Sequence, residues 1–235
     1  MIDIHTHILP GVDDGARNFD ESVEIIKWLS RQGVTNIIAT PHFINETDYV
    51  SSRNKNLKIL DKLRKILVGQ NIKTKVFLGN EIYIDPNIDG LIKTRKISPL
   101  ADSKYILVEL PINGEFPNYE DYLFDLVQKG YKVILAHPER YVIVQEDFEV
   151  VENICNLGVY LQCNIRSILG HYGKDAERVV RKLAKEKMIF AFASDTHRVG
   201  SSDYITMAKK KLSKYYNERE LSQVLTINPG RIWFN

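Results

Sequence analysis

Along the chain, short runs rich in valine and isoleucine alternate with longer stretches whose apolar residues recur every three or four positions. The short runs predict strands over Met1–His5, Val34–Thr40, Lys75–Ile82, Tyr105–Leu110, Lys132–Ala136, Val159–Cys163 and Ile189–Ala193. Most are apolar without interruption, as strands covered on both faces are. The periodic stretches predict helices over Asp20–Arg31, Arg53–Leu67, Tyr119–Gln128, Phe148–Leu157, Asp175–Lys187, Tyr204–Tyr215 and Glu218–Leu225. Asp20 and Asn118 suit helix N-caps, and Gly33, Gly69, Gly130 and Gly158 fall where a residue of positive φ closes a helix. Strand and helix taking turns implies parallel strands with right-handed crossovers. The expected fold is therefore α/β: a distorted TIM-like (β/α)7 barrel with outer helices, in a single domain over residues 1–235. An open doubly wound sheet is the alternative topology.

Polar residues collect where these strands end. Strand one runs into His5-Thr6-His7, two into Thr40-Pro41-His42, three into Asn80-Glu81, four into Glu109, five into His137-Pro138-Glu139-Arg140, and seven into Ser194-Asp195-Thr196-His197. Only strand six, ending Cys163-Asn164, offers neither histidine nor acid. In a parallel barrel all C-terminal strand ends meet on one face, so residues scattered over the sequence converge. The H-x-H spacing lets two imidazoles share a side of the strand, and the D-x-H at 195–197 can do the same with mixed ligands. Asp14, Glu81, Glu109 and Asp195 would crowd four negative charges at one mouth, a repulsion that divalent cations remove. With His5, His7, His42, His137 and His197 they make nine candidate ligands, too many for one tetrahedral ion and suited to two or three. Imidazole and carboxylate donors leave zinc, manganese and iron open.

Closely spaced cations suit phosphate ester hydrolysis. Arg140, just beyond His137, is placed to grip a phosphate, and Arg198 is a second candidate. No Ser-His-Asp triad, reactive-cysteine loop, GxGxxG or Walker-type loop is present, so a metal-held water is the expected nucleophile.

Composition narrows the classes. A net charge of +2 argues neither for nor against a nucleic-acid partner, and the scattered aromatics offer no stacking platform. No apolar stretch is long enough for a membrane span, and the acid and histidine near the N-terminus do not fit a signal peptide, so a cytoplasmic location without membrane insertion is expected. Cys155 and Cys163 read as reduced thiols, and Lys209-Lys210-Lys211 as a solvated helix face.

DIHTH, TPHF, GNE, HPER and SDTH, in this order, resemble the polymerase-and-histidinol-phosphatase (PHP) superfamily, and ILPGVDDGA is similar to the opening of its manganese-dependent protein-tyrosine phosphatases. The likeness runs from His5 to His197. It implies three divalent ions, manganese first, with iron or zinc as alternatives. His5, His7, Glu81 and Asp195 would surround one ion, Glu81 would bridge to a second held by Glu109 and His137, and Asp14, His42 and His197 would hold the third. Arg140 would bind the phosphoryl group. The second phosphate-binding arginine of that family lies further beyond the D-x-H motif than Arg198 does here. The implied activity is hydrolysis of phosphotyrosine by a metal-bridging hydroxide, on a bacterial tyrosine kinase of capsular or exopolysaccharide synthesis. The alternatives are a histidinol-phosphate or other small phosphomonoester phosphatase, a nucleic-acid phosphodiesterase, and a non-catalytic binder of metal or phosphotyrosine. The short chain without long basic insertions disfavours nucleic acid, and the DDGA segment favours the tyrosine enzyme over the histidinol one.

Overall fold

The computed structural model describes residues 1–114, 116–200 and 202–234, apart from the side chain of Phe234. Among them are nine parallel strands: β1 (Ile2–Thr6), β2 (Asn36–Ala39), β3 (His42–Phe43), β4 (Lys75–Leu78), β5 (Glu81–Tyr83), β6 (Tyr105–Glu109), β7 (Lys132–Ala136), β8 (Tyr160–Asn164) and β9 (Ile189–Ala193). Eight of them fall in the seven expected runs, Lys75–Ile82 being divided into β4 and β5, and β3 lies just beyond the expected Val34–Thr40. Thr40-Pro41 divides β2 from β3, since proline lacks the N–H a ladder needs, and Gly79-Asn80 divides β4 from β5. Backbone bonds bridge both breaks, from Gly79 N–H to Ala39 O at 2.8 Å and from Glu81 N–H to Pro41 O at 3.2 Å.

The expected α/β class and parallel strands are present, but hydrogen bonding divides the strands into a sheet β1-β2-β4 and a sheet β3-β5-β6-β7-β8-β9. A closed (β/α)7 ring would need a full ladder between β1 and β9. Only an isolated bridge, Thr6 to Thr196, stands there, flanked by bonds from Asp195 N–H to His5 O and His7 N–H to Thr196 O, each 3.0 Å. Those bonds still hold the first and last motif segments side by side.

Helices cover the sheets. α1 (Phe19–Arg31) buries Val23, Ile25, Ile26, Trp28 and Leu29. Its N-cap is Asn18, whose side chain accepts from Glu21 N–H, and not the expected Asp20, which lies in the first turn. α2 spans Arg53–Gly69, so Gly69 lies inside the helix and Asn71 takes the left-handed conformation beyond it, at φ 55°. Gly33, Gly130 and Gly158 do adopt positive φ just past helices. Asn118 stands at the N-cap of α4 with φ 62° and no side-chain capping bond. Two short helices had no periodic signal, α3 (Ile88–Lys93) and α5 (Val142–Glu146), because five or six residues are too few to display one. The others are α4 (Tyr119–Gln128), α6 (Glu149–Asn156), α7 (Lys174–Lys185), α8 (Tyr204–Leu212), α9 (Glu218–Ser222), which runs into a π-helical turn, Gln223–Ile227, and the short α10 (Asn228–Gly230). No helix among the described residues is long and apolar enough to cross a membrane.

Two apolar clusters result. The larger lies between helices and sheets. The smaller is enclosed by the strands: Ile4, Ile38, Leu107, Ile134, Ala136, Ala191 and Ala193 pack together, with Leu100 and Ile232 closing the end where the strands begin. It forms the floor beneath the C-terminal strand ends. Leu107 is fully buried in that floor. Leu107→Ala should cost about 2–5 kcal/mol of unfolding free energy in a urea titration; a change below about 1 kcal/mol would show that the inner cluster is not tightly packed.

Candidate metal centre

β1 shows how the fold aims its histidines. Strict alternation would send Ile4 and His5 to opposite faces. Pairing with β2 instead passes from Asp3 opposite Ile37 to Thr6 opposite Ala39, three steps against two. With that extra residue, Ile4 joins the inner floor while His5 also reaches inward, its Nδ1 2.8 Å from Gln162 Oε1 on β8. His137 and Asp195, just past β7 and β9, adopt left-handed backbone at φ 33° and φ 50°. Such conformations are costly away from glycine and persist where surrounding contacts enforce them, commonly at functional sites.

All nine expected ligand residues converge. Their donor atoms fall into four overlapping groups: His7, Asp14, His42 and His197; His5, His7 and Glu81; His5, His137 and Asp195; and His42, Glu81 and Glu109. Glu81 lies at the centre. Its Oε2 is 3.1 Å from His5 Nε2, 3.3 Å from His7 Nε2 and 3.0 Å from His42 Nδ1, while Oε1 is 2.9 Å from His137 Nε2. Asp195 Oδ1 lies 3.5 Å from His5 Nε2 and 3.4 Å from His7 Nε2. Asp14 Oδ1 lies 3.3 Å from His197 Nε2 and 3.6 Å from His42 Nε2. His5, His7, Glu81, Glu109, His137 and Asp195 are buried; His42 and His197 are half-buried and Asp14 is exposed. The site thus grades from an enclosed base to an open rim.

The chemistry of this donor set fits divalent metal ions. His5 Nε2 and His7 Nε2 approach within 3.1 Å, and buried His137 Nδ1 has no hydrogen-bond partner. Lone pairs that converge in this way, away from water, call for cations among them. Without metal the burden falls on protons. Burial opposes the charged form of His5, but Glu81 and Asp195 outweigh it and lift its pKa to about 9. Burial likewise opposes ionisation of Glu81, yet His5 and His42 hold it well below the usual carboxylate range. Glu109 is pushed up by burial and then by Glu81, and the hydrogen bond to His197 draws Asp14 down to about 2.

Several supporting residues were not among the expected ligands, although Asp13 lies in the DDGA segment and Glu139 in HPER. Asp13 Oδ2 accepts from His7 Nδ1–H at 2.8 Å and from His42 N–H at 3.1 Å, while its Oδ1 accepts from Gly15 N–H at 2.9 Å. That fixes the His7 tautomer and turns Nε2 toward Glu81 and Asp195. Gln162 does the same for His5 and passes a bond from its amide to Asn164 Oδ1 at 3.0 Å. Asn164, at the end of the ligand-free sixth expected strand, donates to Asp195 Oδ2 at 2.7 Å. Glu139 accepts from Asn164 N–H and the Ser167 hydroxyl, joining the β7 and β8 loops. Alternating Gln and Asn inside an apolar strand, as in Leu161-Gln162-Cys163-Asn164, was the readable signal for two of these.

Arg140 donates from Nη1 to Asp195 Oδ2 at 3.1 Å and stacks on Tyr172, whose ring centre is 4.8 Å from the guanidinium carbon. Arg198 donates to the carbonyls of Gly15 and His197, tying together the loops that carry Asp14 and His197. Gly15 itself cannot carry a side chain, since a Cβ would fall 2.0 Å from His7 O. Outside the site Cys163 is buried and Cys155 half-buried, both as free thiols, and Lys211 pairs with Glu177.

Asp13→Asn should weaken metal binding by about 10–100-fold, measured by competition with a chromogenic chelator; unchanged affinity would show that Asp13 does not set His7. Metal-free protein should also lose stability as pH rises. The folded pKa of His5 lies above its ordinary 6.5, so its stabilisation is complete below about 6.5 and is lost as pH climbs through about 9. Metal-loaded protein should gain stability over the same interval, because binding needs deprotonated ligands. Parallel slopes in thermal melts of the two forms would contradict this.

Comparisons place this geometry among known proteins. The chain is 36% identical to the tyrosine-protein phosphatase YwqE of Bacillus subtilis over 230 residues, covering 97% of this chain and 89% of that one. It superposes with a TM-score of 0.92 and 32% identity on a solved structure from work on YwqE of Bacillus subtilis and CpsB of Streptococcus pneumoniae, described as unique metal-dependent tyrosine phosphatases, covering 100% of this chain and 95% of that one. A histidinol phosphate phosphatase from Lactococcus lactis, solved with zinc, L-histidinol and phosphate, shares the fold at a TM-score of 0.61 and 15% identity, with 91% and 93% of the two chains covered. Residues 1–233 match the capsular polysaccharide synthesis family CpsB/CapC, and the chain belongs to that family.

Proposed function

We propose that this chain, as one PHP-type domain over residues 1–235, is a metal-dependent protein-tyrosine phosphatase. Its physiological substrate is phosphotyrosine on a cognate bacterial tyrosine kinase in the cytoplasm, where it regulates capsular or exopolysaccharide synthesis. The observation that carries the reading is the gathering of nine imidazole and carboxylate side chains, with buried Glu81 at their centre and Arg140 beside Asp195 at their edge. Three divalent ions, manganese before iron or zinc, are the complement this donor set would hold. His5, His7, Glu81 and Asp195 would serve one, Glu81, Glu109 and His137 a second, and Asp14, His42 and His197 a third. Such ions supply positive charge for phosphoryl oxygens and lower the pKa of water to near neutrality.

The residues of the chain do the rest. Arg140 keeps one nitrogen on Asp195 and offers the remainder of its planar fork to the phosphoryl oxygens. Tyr172 supports that guanidinium from its face, so the cation keeps its orientation when a substrate is absent. Arg198 is the second substrate-side cation, held at the rim by the Gly15 and His197 carbonyls. The half-exposed edge at His42, His197 and Asp14 is where a protein-borne phosphotyrosine can enter, whereas the buried base admits only small groups. A tyrosine leaves as phenolate with a pKa of about 10, so no strong general acid is required.

Phosphate release from phosphotyrosine, phosphoserine and histidinol phosphate, with manganese, iron or zinc restored to chelator-treated protein, tests the assignment. Phosphotyrosine should be the best substrate and activity should vanish without metal. Arg140→Ala should lower kcat/KM by about two to three orders of magnitude, and His42→Ala and Asp195→Ala should remove most metal-dependent release. Equal rates on phosphoserine would refute the tyrosine specificity, and metal-independent release would refute the mechanism.

A further inference from the structure

Arg166 takes no part in the site described above, yet its surroundings ask for a ligand. It follows Asn164-Ile165 at the end of β8 and is half-buried. Its Nε is shielded from solvent without a hydrogen-bond partner, and among the described residues no carboxylate lies within ion-pair distance of it. Arg140, by contrast, is paired with Asp195. The guanidinium of Arg166 rests against two aromatic rings, with its carbon 5.9 Å from the centre of Tyr172 and 5.4 Å from that of Tyr204. Tyr172 is the ring that also carries Arg140, so one aromatic side chain links the two cations. Burial and then Asp195 raise the Tyr172 phenol pKa, while the Arg166 charge and a side-chain hydrogen bond with Arg166 oppose them.

A cavity of about 290 Å³ opens beside Arg166, lined also by Leu169, Gly170, His171, Gly200, Ser202 and Tyr204. Burial and the Arg166 charge lower the His171 pKa, so at neutral pH this imidazole is uncharged. The cavity therefore presents one positive charge, the Tyr204 ring, a neutral imidazole and the small polar Ser202. That complement suits a single carboxylate better than a dianionic phosphate, which would leave charge uncompensated.

We infer that Arg166 and its cavity form an accessory subsite that binds an aspartate or glutamate side chain flanking the phosphotyrosine of a peptide substrate. The inference rests on the phosphotyrosine reading given above. Because both guanidinium groups touch the same ring, the phosphotyrosine and the acidic residue need be only a few positions apart in an extended peptide, at about 3.3–3.6 Å per residue. Arg166 thus sets specificity, whereas Arg140 grips the reacting group.

The test uses the metal-loaded full chain with phosphotyrosine peptides carrying Glu at single positions from two before to two after the phosphotyrosine, the matching Gln peptides, and p-nitrophenyl phosphate. The unaltered protein should prefer at least one Glu peptide to its Gln counterpart by about 5–20-fold in KM, as expected for a charge-assisted pair of about 1–2 kcal/mol. Arg166→Gln should abolish that preference with kcat within twofold and p-nitrophenyl phosphate turnover unchanged, and Arg166→Lys should restore part of it. No Glu-over-Gln preference in the unaltered protein would overturn the subsite without recourse to any variant. An equal loss on every substrate in Arg166→Gln would also overturn it, assigning the residue to the phosphoryl site or to loop support. No turnover of any phosphotyrosine peptide by the unaltered protein would instead defeat the tyrosine reading itself, and the subsite with it.

Discussion

The Glu81 carboxylate is the point on which the site depends. It is almost completely buried, and four imidazole nitrogens, from His5, His7, His42 and His137, lie within 3.3 Å of its oxygens. A lone carboxylate in such a place would take up a proton, because burial penalises its charge. Surrounded by imidazoles it stays ionised, but only by forcing protons onto rings that would otherwise be neutral. The metal-free state is therefore a compromise in which Glu81 and its neighbours hold charges by holding protons. Cations at the same positions end the compromise, since each metal takes the place of several protons and leaves every imidazole in its neutral, ligating form.

The strands exist to hold that carboxylate among those rings. β5 begins with Glu81, directly opposite His42 of β3 in the parallel register, and the next pairing sets Ile82 against Phe43. Interruption of these strands at Pro41 and Gly79 gives each motif residue a fresh start instead of the fixed alternation of a long strand. The bulge in β1 and the left-handed residues at His137 and Asp195 serve the same end by different means. Ladder regularity is given up at several of the strand ends that carry ligand candidates, whereas Glu109 ends β6 within a regular ladder to β5, and the regular pairing of β6 with β7 runs through the apolar floor.

Much of this was legible in the sequence for a physical reason. Imidazoles and acids at the ends of apolar runs are costly to bury, so their repetition at His5, His42, Glu81, Glu109, His137 and Asp195 needed a shared explanation. The parallel fold then brings strand ends together without further information. What the pattern did not disclose was orientation. Asp13 and Asp14 are adjacent acids of equal composition, yet one is buried against His7 Nδ1 and the other faces His197 at the rim. That difference depends on the turn before Gly15, where a close approach to His7 O admits no side chain, and no periodicity encodes such a turn. The same limit hid the divided strands, because two-residue β3 and three-residue β5 are too short to display a period apart from the runs that precede them. Arg166 was hidden differently: a lone arginine after Asn164-Ile165 looks like any loop cation until the rings around it are seen.

Room for the site comes from the layer beneath it. Five imidazole rings and their carboxylates must fit at one end of a tightly wound parallel array, whose interior at this strand number is normally filled by branched side chains. Here Ala136 and Ala193 occupy inner positions at the ends of β7 and β9, one residue before His137 and two before Asp195, with Ala191 a further inner position in β9. Larger side chains would push upward into the rings. Toward the other end of the strands, Tyr105 and Phe190 restore the lost volume, and Ile232 and Trp233 of the C-terminal turn complete the closure. The apolar interior is thus graded from large to small along the strand direction. The chain keeps its core volume while leaving the upper layer to polar groups, and the C-terminal residues, far from the motifs in sequence, are part of what lets the motifs meet.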